Sequence, residues 1–205
     1  MPFAIRKLVY KDILKIEKMD IPENKTTCII GESGAGKSTL LKMLNKMYIP
    51  DEGSIHYKGT SIKEMNPVSL RRKVVMISQT PLLFGETIEE NLQKGLIFSE
   101  KPPASQEELE SILEIVKLDK NLETNAEELS GGERQRLSLG RVLVMKPEVY
   151  LLDEPTSALD EETELAVMNR FIEAAKAHEG TVIMVTHSMN VAEQYGEELI
   201  RISRK

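Results

Sequence analysis

Four short runs in the chain are apolar or nearly so at every position: Thr26–Ile30, Val74–Ile77, Val149–Leu152 and Thr181–Thr186. Runs of this length without polar alternation read as strands buried on both faces, as in a parallel sheet. Ser54–Tyr57 alternates instead and reads as a half-buried strand, with His56 on its polar, surface side. Ile5–Tyr10 and Ile13–Met19 read as paired strands, and Glu198–Ile202 as a final strand. Between these runs the period lengthens to that of a helix. Leu40, Leu41, Leu44 and Met47 form one apolar face, and Leu109, Ile112, Leu113 and Val116 a second. Leu137, Leu139, Val142 and Leu143 form a third, and Leu165, Met168, Phe171 and Ile172 lie inward on a long helix.

Local signals punctuate these elements. Pro50-Asp51-Glu52-Gly53 is a turn, and Asn66 caps a short helix with Pro67 in its first turn. Thr87-Ile88-Glu89-Glu90 and Ser105-Gln106-Glu107-Glu108 each read as a capping box. The stretch from Gly95 to Pro103 reads as a loop, because Pro102-Pro103 forbids regular structure. Ser188 caps a last short helix. Residues from about 86 to 145 therefore form a helical lobe inserted into a single α/β domain whose core spans about 1–85 and 146–205.

Composition narrows the function. A chain of 205 residues buries a proper core, and a formal net charge of −6 argues against general nucleic-acid binding. No run approaches the length of a membrane span, and Met1-Pro2-Phe3-Ala4-Ile5-Arg6 does not read as a signal peptide. The one cysteine, Cys28, falls inside a buried strand, where it acts as a small core residue and fits a reducing cytosol. Met43 and Met47 share helical spacing with leucines, so methionine here means packing rather than metal binding.

The chemistry begins at Gly31-Glu32-Ser33-Gly34-Ala35-Gly36-Lys37-Ser38-Thr39, which fits G-x-x-x-x-G-K-[ST]. A β-phosphate needs several backbone N–H donors at once, and glycines let the loop bend around it. Lys37 supplies a charge between the β- and γ-phosphates, and Ser38 a hydroxyl for Mg²⁺. The flanking strand and helix aim a helix N-terminus at the anion. Leu129-Ser130-Gly131-Gly132-Glu133-Arg134-Gln135-Arg136 suggests a second capped helix start with bare amides, hence a second anion site. The Val149 strand ends in adjacent acids, Asp153 and Glu154, where ligands of a parallel sheet gather. Asp153 is placed to hold Mg²⁺ and Glu154 to polarise an attacking water. Gln79 and His187 also stand at strand ends, Gln79 to sense the γ-phosphate through Mg²⁺ and His187 to contact it.

Together these residues resemble the ATP-binding subunit of ABC transporters over nearly the whole chain. The ordered motifs stand as Walker A Gly31–Thr39, Q-loop Gln79, signature Leu129–Gln135, Walker B Val149–Asp153 with Glu154, D-loop Ser157–Asp160 and switch histidine His187. The resemblance implies a P-loop ATPase core with an antiparallel β edge and a helical subdomain. It places Tyr10 as the aromatic that stacks on adenine. It implies that two copies enclose two ATP molecules head to tail, with Ser130, Gly131, Gly132 and Gln135 acting in trans and Asp160 in communication between copies. It also implies a separate transmembrane permease, contacted near Gln79–Leu92, that brings the chain to the inner face of the cell membrane. Ser78-Gln79-Thr80-Pro81-Leu82-Leu83-Phe84-Gly85-Glu86-Thr87-Ile88 is similar to the same segment of exporter-type ATPases, and a separate subunit carrying it resembles the FetA-like ATPases assigned to iron export. DNA-repair and chromosome-organising members of the superfamily carry coiled coils or zinc modules for which there is no room between Lys37 and Ser130. Translation factors of the superfamily typically hold two cassettes in one chain. Neither Asn24-Lys25 nor Asn45-Lys46 continues as N-K-x-D, which argues against a GTPase.

Overall fold

A computed structural model describes residues 1–203. Their strands form two sheets. The first is antiparallel, in the order β2 (Leu14–Ile21), β1 (Phe3–Tyr10), β4 (Glu52–Tyr57) and β5 (Thr60–Ser61). The second is parallel throughout, in the order β6 (Val74–Ile77), β7 (Val149–Asp153), β8 (Thr181–Val185), β3 (Thr26–Ile30) and β9 (Glu198–Arg201).

Of the four strands without alternation, β6 stands at the edge of the parallel sheet, with Val75 and Met76 only half-buried where burial on both faces was expected, while β7, β8 and β3 occupy its middle and are buried at every residue. Successive side chains of a strand point to opposite faces, so each of these strands feeds two cores. Tyr150 and Leu152 join one, Val149 and Leu151 the other, and β8 divides likewise into Val182 and Met184 against Ile183 and Val185. One core lies between the two sheets. It holds Phe3, Ile5 and Ile55 with Leu40 and Leu41 of α1 (Lys37–Leu44) and Leu70 of α2 (Pro67–Lys73). The other packs α3 (Ile88–Phe98), α4 (Gln106–Ile115) and α5 (Gly131–Met145), together with α6 (Glu161–Ala177) and α7 (Met189–Tyr195). Helices α3 to α5 form a helical subdomain between β6 and β7.

Three local expectations change. Helix α1 stops at Leu44, and the amides of Met47 and Tyr48 both turn back to the Lys42 carbonyl. Met47 therefore leaves the apolar face and is 55% exposed. Helix α3 runs through Gly95 to Phe98 where a loop was expected. Gly95 is there for packing, since a Cβ would stand 2.8 Å from the Arg141 carbonyl oxygen of α5. At Thr87 only half of the capping box forms. The Thr87 hydroxyl accepts from the Glu90 amide, but the Glu90 carboxylate accepts from Glu86, one residue early. The box at Ser105 and Glu108 closes in full.

Candidate active site

Parallel pairing sets the carboxyl ends of β3, β7 and β8 side by side, with Ile29 and Asp153 both in register with Val185. Three chain segments therefore emerge at one crevice, the place where open α/β sheets bind ligands. After β3 the loop turns through positive φ at Gly31, Gly34 and Gly36 (152°, 79° and 88°). Gly31 has a second reason to be glycine, since a Cβ would lie 2.0 Å from the Ile202 carbonyl oxygen. Helix α1 then starts with no side-chain cap and no acid in its first turn. Its leading amides and the positive end of its dipole are left for an anion. Glu32, Ser33 and Gly34 are exposed at the loop's crest, Ala35 is buried beneath it, and Thr39 is half-buried. Lys37 is buried, and its ammonium donates to the Gly31 and Glu32 carbonyls at 2.8 Å each.

Of the residues expected around Mg²⁺, Ser38 and Asp153 meet across the crevice, while Gln79 turns its amide to Glu154. The Ser38 hydroxyl donates to Asp153 Oδ1 at 2.7 Å. Burial pushes the Asp153 carboxyl above its ordinary range, with the Ser38 hydrogen bond opposing. Among the described residues no group of three or more His, Cys, Asp or Glu side chains could hold a metal. A hydroxyl and one buried carboxylate nonetheless suit Mg²⁺, which binds through one or two protein oxygens plus substrate phosphates and water.

Beside this pair, Glu154 is gripped at both oxygens. Gln79 Nε2 donates to its Oε2 at 2.9 Å, and His187 Nε2 lies 3.0 Å from its Oε1. Its backbone sits at φ 50°, in the left-handed region, with its amide bonded to the Val185 carbonyl. Two residues read separately from strand ends, Gln79 and His187, thus converge on the carboxylate of a third, Glu154.

At the start of α5, Ser130 and Gly131 are exposed and Gly132 is half-buried. Nothing lies within 4 Å of a Cβ built on Gly131, whereas one on Gly132 would touch Leu159 at 3.0 Å. The amides of this turn are not all bare, because Ser130 and Glu133 close a reciprocal capping box. Gln135, expected to act in trans with these three residues, does not share their exposure. It is buried, donates to the Glu154 carbonyl and the Ser157 hydroxyl at 3.2 Å each, and accepts from the Ala158 amide at 2.9 Å. It ties the 157–160 loop to the residue that follows β7 of its own chain. Asp160, at the end of that loop, caps α6 by accepting from the Thr163 amide at 2.9 Å.

Tyr10 closes β1, and its ring stacks on Tyr48 with centroids 5.8 Å apart and planes 12° apart. Tyr48 was not anticipated, and neither was Asn91. Asn91 is fully buried on α3 and accepts from the Phe84 amide while donating to the Gly85 and Thr87 carbonyls, all at 2.8 Å. It pins the 84–87 segment to the helical subdomain.

A family model described as ABC transporter matches residues 14–157. The phosphate import ATP-binding protein PstB 3 of Natronomonas pharaonis is 38% identical over 191 residues, which cover 88% of this chain and 68% of that one. A solved ATP-binding subunit of an ABC transporter superposes with a TM-score of 0.84 at 25% identity, over 98% of this chain and 86% of that one. A bacterial Atm1-family ABC exporter with ATP bound superposes with a TM-score of 0.81 at 29% identity, over 93% of this chain but only 35% of its own length. Import and export both stand among these names, and the expectation of iron finds no support in them.

Proposed function

The chain belongs to the ABC transporter family, as an ATP-binding ATPase, and from that premise we propose that two copies close head to tail on ATP to drive a separate membrane permease. The observation that carries this reading is Glu154, held between Gln79 and His187 beside the Ser38–Asp153 pair. On nucleotide binding, Lys37 would exchange the Gly31 and Glu32 carbonyls for β- and γ-phosphate oxygens, and the α1 amides would meet the β-phosphate. Ser38 and Asp153 would hold Mg²⁺, with Gln79 beside them, and the ion would offset charge developing on the phosphoryl group. Glu154 would orient or deprotonate the attacking water, and His187 would steady the γ-phosphate. Gln79 and His187 already fix the position of the base, so little reorganisation remains for the chemical step.

The open space over Gly131 supports the composite site. Its own chain gives this residue no steric reason to be glycine, and a phosphate approached by a second copy would supply one. Mixing Lys37→Ala with Gly131→Asp subunits tests this. One of the two composite sites in a mixed dimer carries neither lesion, so ATPase activity should return in part. Absence of rescue at every ratio, with the two variants shown by crosslinking to pair, would refute the shared site.

The permease contact falls to the segment that follows Gln79. Asn91 pins its 84–87 part, while Leu82 is 56% exposed and Phe84 41%. Large apolar side chains presented on a pinned loop suit a protein contact. Among the described residues no helix is long and apolar enough to cross a membrane, so the reading places the chain on the cytoplasmic face through its permease. Cargo selection lies in that partner, and iron export is not retained.

A further inference from the structure

Tyr48, which carries no role so far, stacks on Tyr10 with the rings 5.8 Å apart and 12° from parallel. Rings in this arrangement attract beyond the area they bury. Tyr48 is 40% exposed, so the stack does not serve to fill a core. The Lys11 ammonium also lies over the Tyr10 ring, 5.1 Å from its centroid. Lys11 is exposed, and a charge on a flexible stem does not fix the plane of a ring. A second ring stacked on it does.

Tyr48 is itself held to α1. The amides of Met47 and Tyr48 donate to the Lys42 carbonyl at 2.8 and 3.0 Å, and the Lys42 ammonium lies over the Tyr48 ring, 5.6 Å from its centroid. Three residues later Asp51 grips the backbone on either side of Tyr10. Its amide donates to the Val9 carbonyl at 2.9 Å, and its carboxylate accepts from the Lys11 amide at 2.6 Å. The segment from 48 to 51 therefore holds Tyr10 by its ring and by its backbone. The turn after Tyr10 also lies against the phosphate loop, since a Cβ on Gly36 would stand 3.3 Å from the Ile13 carbonyl oxygen. The Tyr10 ring and the phosphate loop are thus both referenced to one helix, α1, the loop at its start and the ring at its end.

We propose that Tyr48 is a positioning residue for nucleotide binding, which fixes the plane of the Tyr10 ring relative to α1 so that a base anchored through its phosphates meets that ring face to face. The inference rests on Tyr10 as the base platform and adds the residue that aims it. Tyr48 acts through Tyr10 and needs no contact with the nucleotide. Without the stack, the Tyr10 side chain spreads over its rotamers, and affinity falls by the fraction that still faces the base. The worth of one aromatic pair bounds that loss at about two- to tenfold.

The test is a double-mutant cycle on the full chain, with the Kd of a non-hydrolysable ATP analogue measured by calorimetry. Tyr48→Leu keeps apolar bulk beside Tyr10 but loses the flat face, and should weaken binding about two- to tenfold. Tyr48→Phe, which keeps the stack, should recover the wild-type value. In the Tyr10→Ala background, Tyr48→Leu should change the Kd by a factor of about one, because no ring is left to aim. A residue that only supported α1 or the phosphate loop would weaken binding by the same factor in both backgrounds, and that result would overturn the proposal. Wild-type affinity in Tyr48→Leu beside weak binding in Tyr10→Ala would also overturn it, while leaving Tyr10 as the base platform. Wild-type affinity in Tyr10→Ala would remove the base platform, and the proposal with it. Should the leucine variant not fold, Tyr48→Gln runs the same cycle with the same outcomes.

Discussion

Glu154 combines the carboxylate proposed as the base with a backbone at φ 50°, and the two can be separated by substitution. Glu154→Ala and Glu154→Gly both remove the carboxylate bonded to Gln79 and His187. Only glycine also removes the Cβ that makes the left-handed region unfavourable, a penalty of about 1–2 kcal/mol. Glu154→Gly is therefore expected to be more stable than Glu154→Ala by about 1 kcal/mol, or about 2–4 °C in Tm for a domain of this size. Against wild type the glycine variant should nearly break even. The lost partners are exposed, with the Glu154 and His187 side chains 21% and 52% accessible, and such a pair contributes about 0–1 kcal/mol. Glu154→Gln separates the other half, because its amide can still accept from Gln79 but cannot act as a base. It should bind ATP and hydrolyse it about 10²–10⁴-fold more slowly, a barrier increase of about 3–5 kcal/mol. Thermal unfolding without nucleotide reads the first comparison and phosphate release the second. Equal Tm values for the alanine and glycine variants would refute the strain at this position. Turnover near wild type in Glu154→Gln would remove Glu154 from the chemistry.

What could be read before the structure was local. The phosphate loop, its entering strand and its leaving helix are contiguous, so the motif carried its own context from Thr26 to Leu44. The central strands announced themselves by lacking alternation, which follows from their feeding two cores at once. The convergence on Glu154 was not local. Gln79 lies 75 positions away, and only the β6-β7-β8-β3 order brings it and His187 to the same carboxylate. The loop from Gly95 was over-extended because Pro102-Pro103 forbids regular structure only near itself, and Gly95, four positions upstream of Ser99 where α3 ends, serves close helix packing instead. Asn91 and Gln135 left a signal that went unused. Asn91 sits beside Leu92 and three residues after Ile88, on the buried stripe of α3. Gln135 stands four residues before Leu139 and seven before Val142, on the buried stripe of α5. A polar side chain on an apolar stripe must find partners inside the protein, and both do so by tying down a loop of the site.

Tyr10→Ala is expected to weaken ATP binding by about 1–3 kcal/mol, the worth of stacking one base on an aromatic ring. Tyr10→Phe, which keeps the ring face against Tyr48, should be nearly neutral by calorimetry, and an alanine variant as tight as wild type would move base recognition elsewhere. Gln135 offers a sharper test because its role in its own chain can be distinguished from a role in trans. Gln135→Ala removes hydrogen bonds of 2.9 to 3.2 Å, taking from the Ala158 amide its Gln135 partner and leaving the Glu154 carbonyl with only the longer 3.4 Å bond from the Ser157 amide. A typical intramolecular hydrogen bond contributes about 0.5–1.5 kcal/mol net, so the isolated subunit should lose roughly 1–3 kcal/mol of stability in denaturant melts without nucleotide. A residue acting only across a dimer would leave that melt unchanged and lower activity alone. Because the same side chain holds the backbone of Glu154, turnover should fall as well, even at saturating ATP. Mixed with Lys37→Ala, Gln135→Ala should rescue poorly compared with Gly131→Asp. Its lesion stays with the Glu154 of its own chain, so each of the two composite sites in the mixed dimer keeps a defect. Rescue equal to that of Gly131→Asp, with an unchanged melt, would show that Gln135 reaches the partner copy after all.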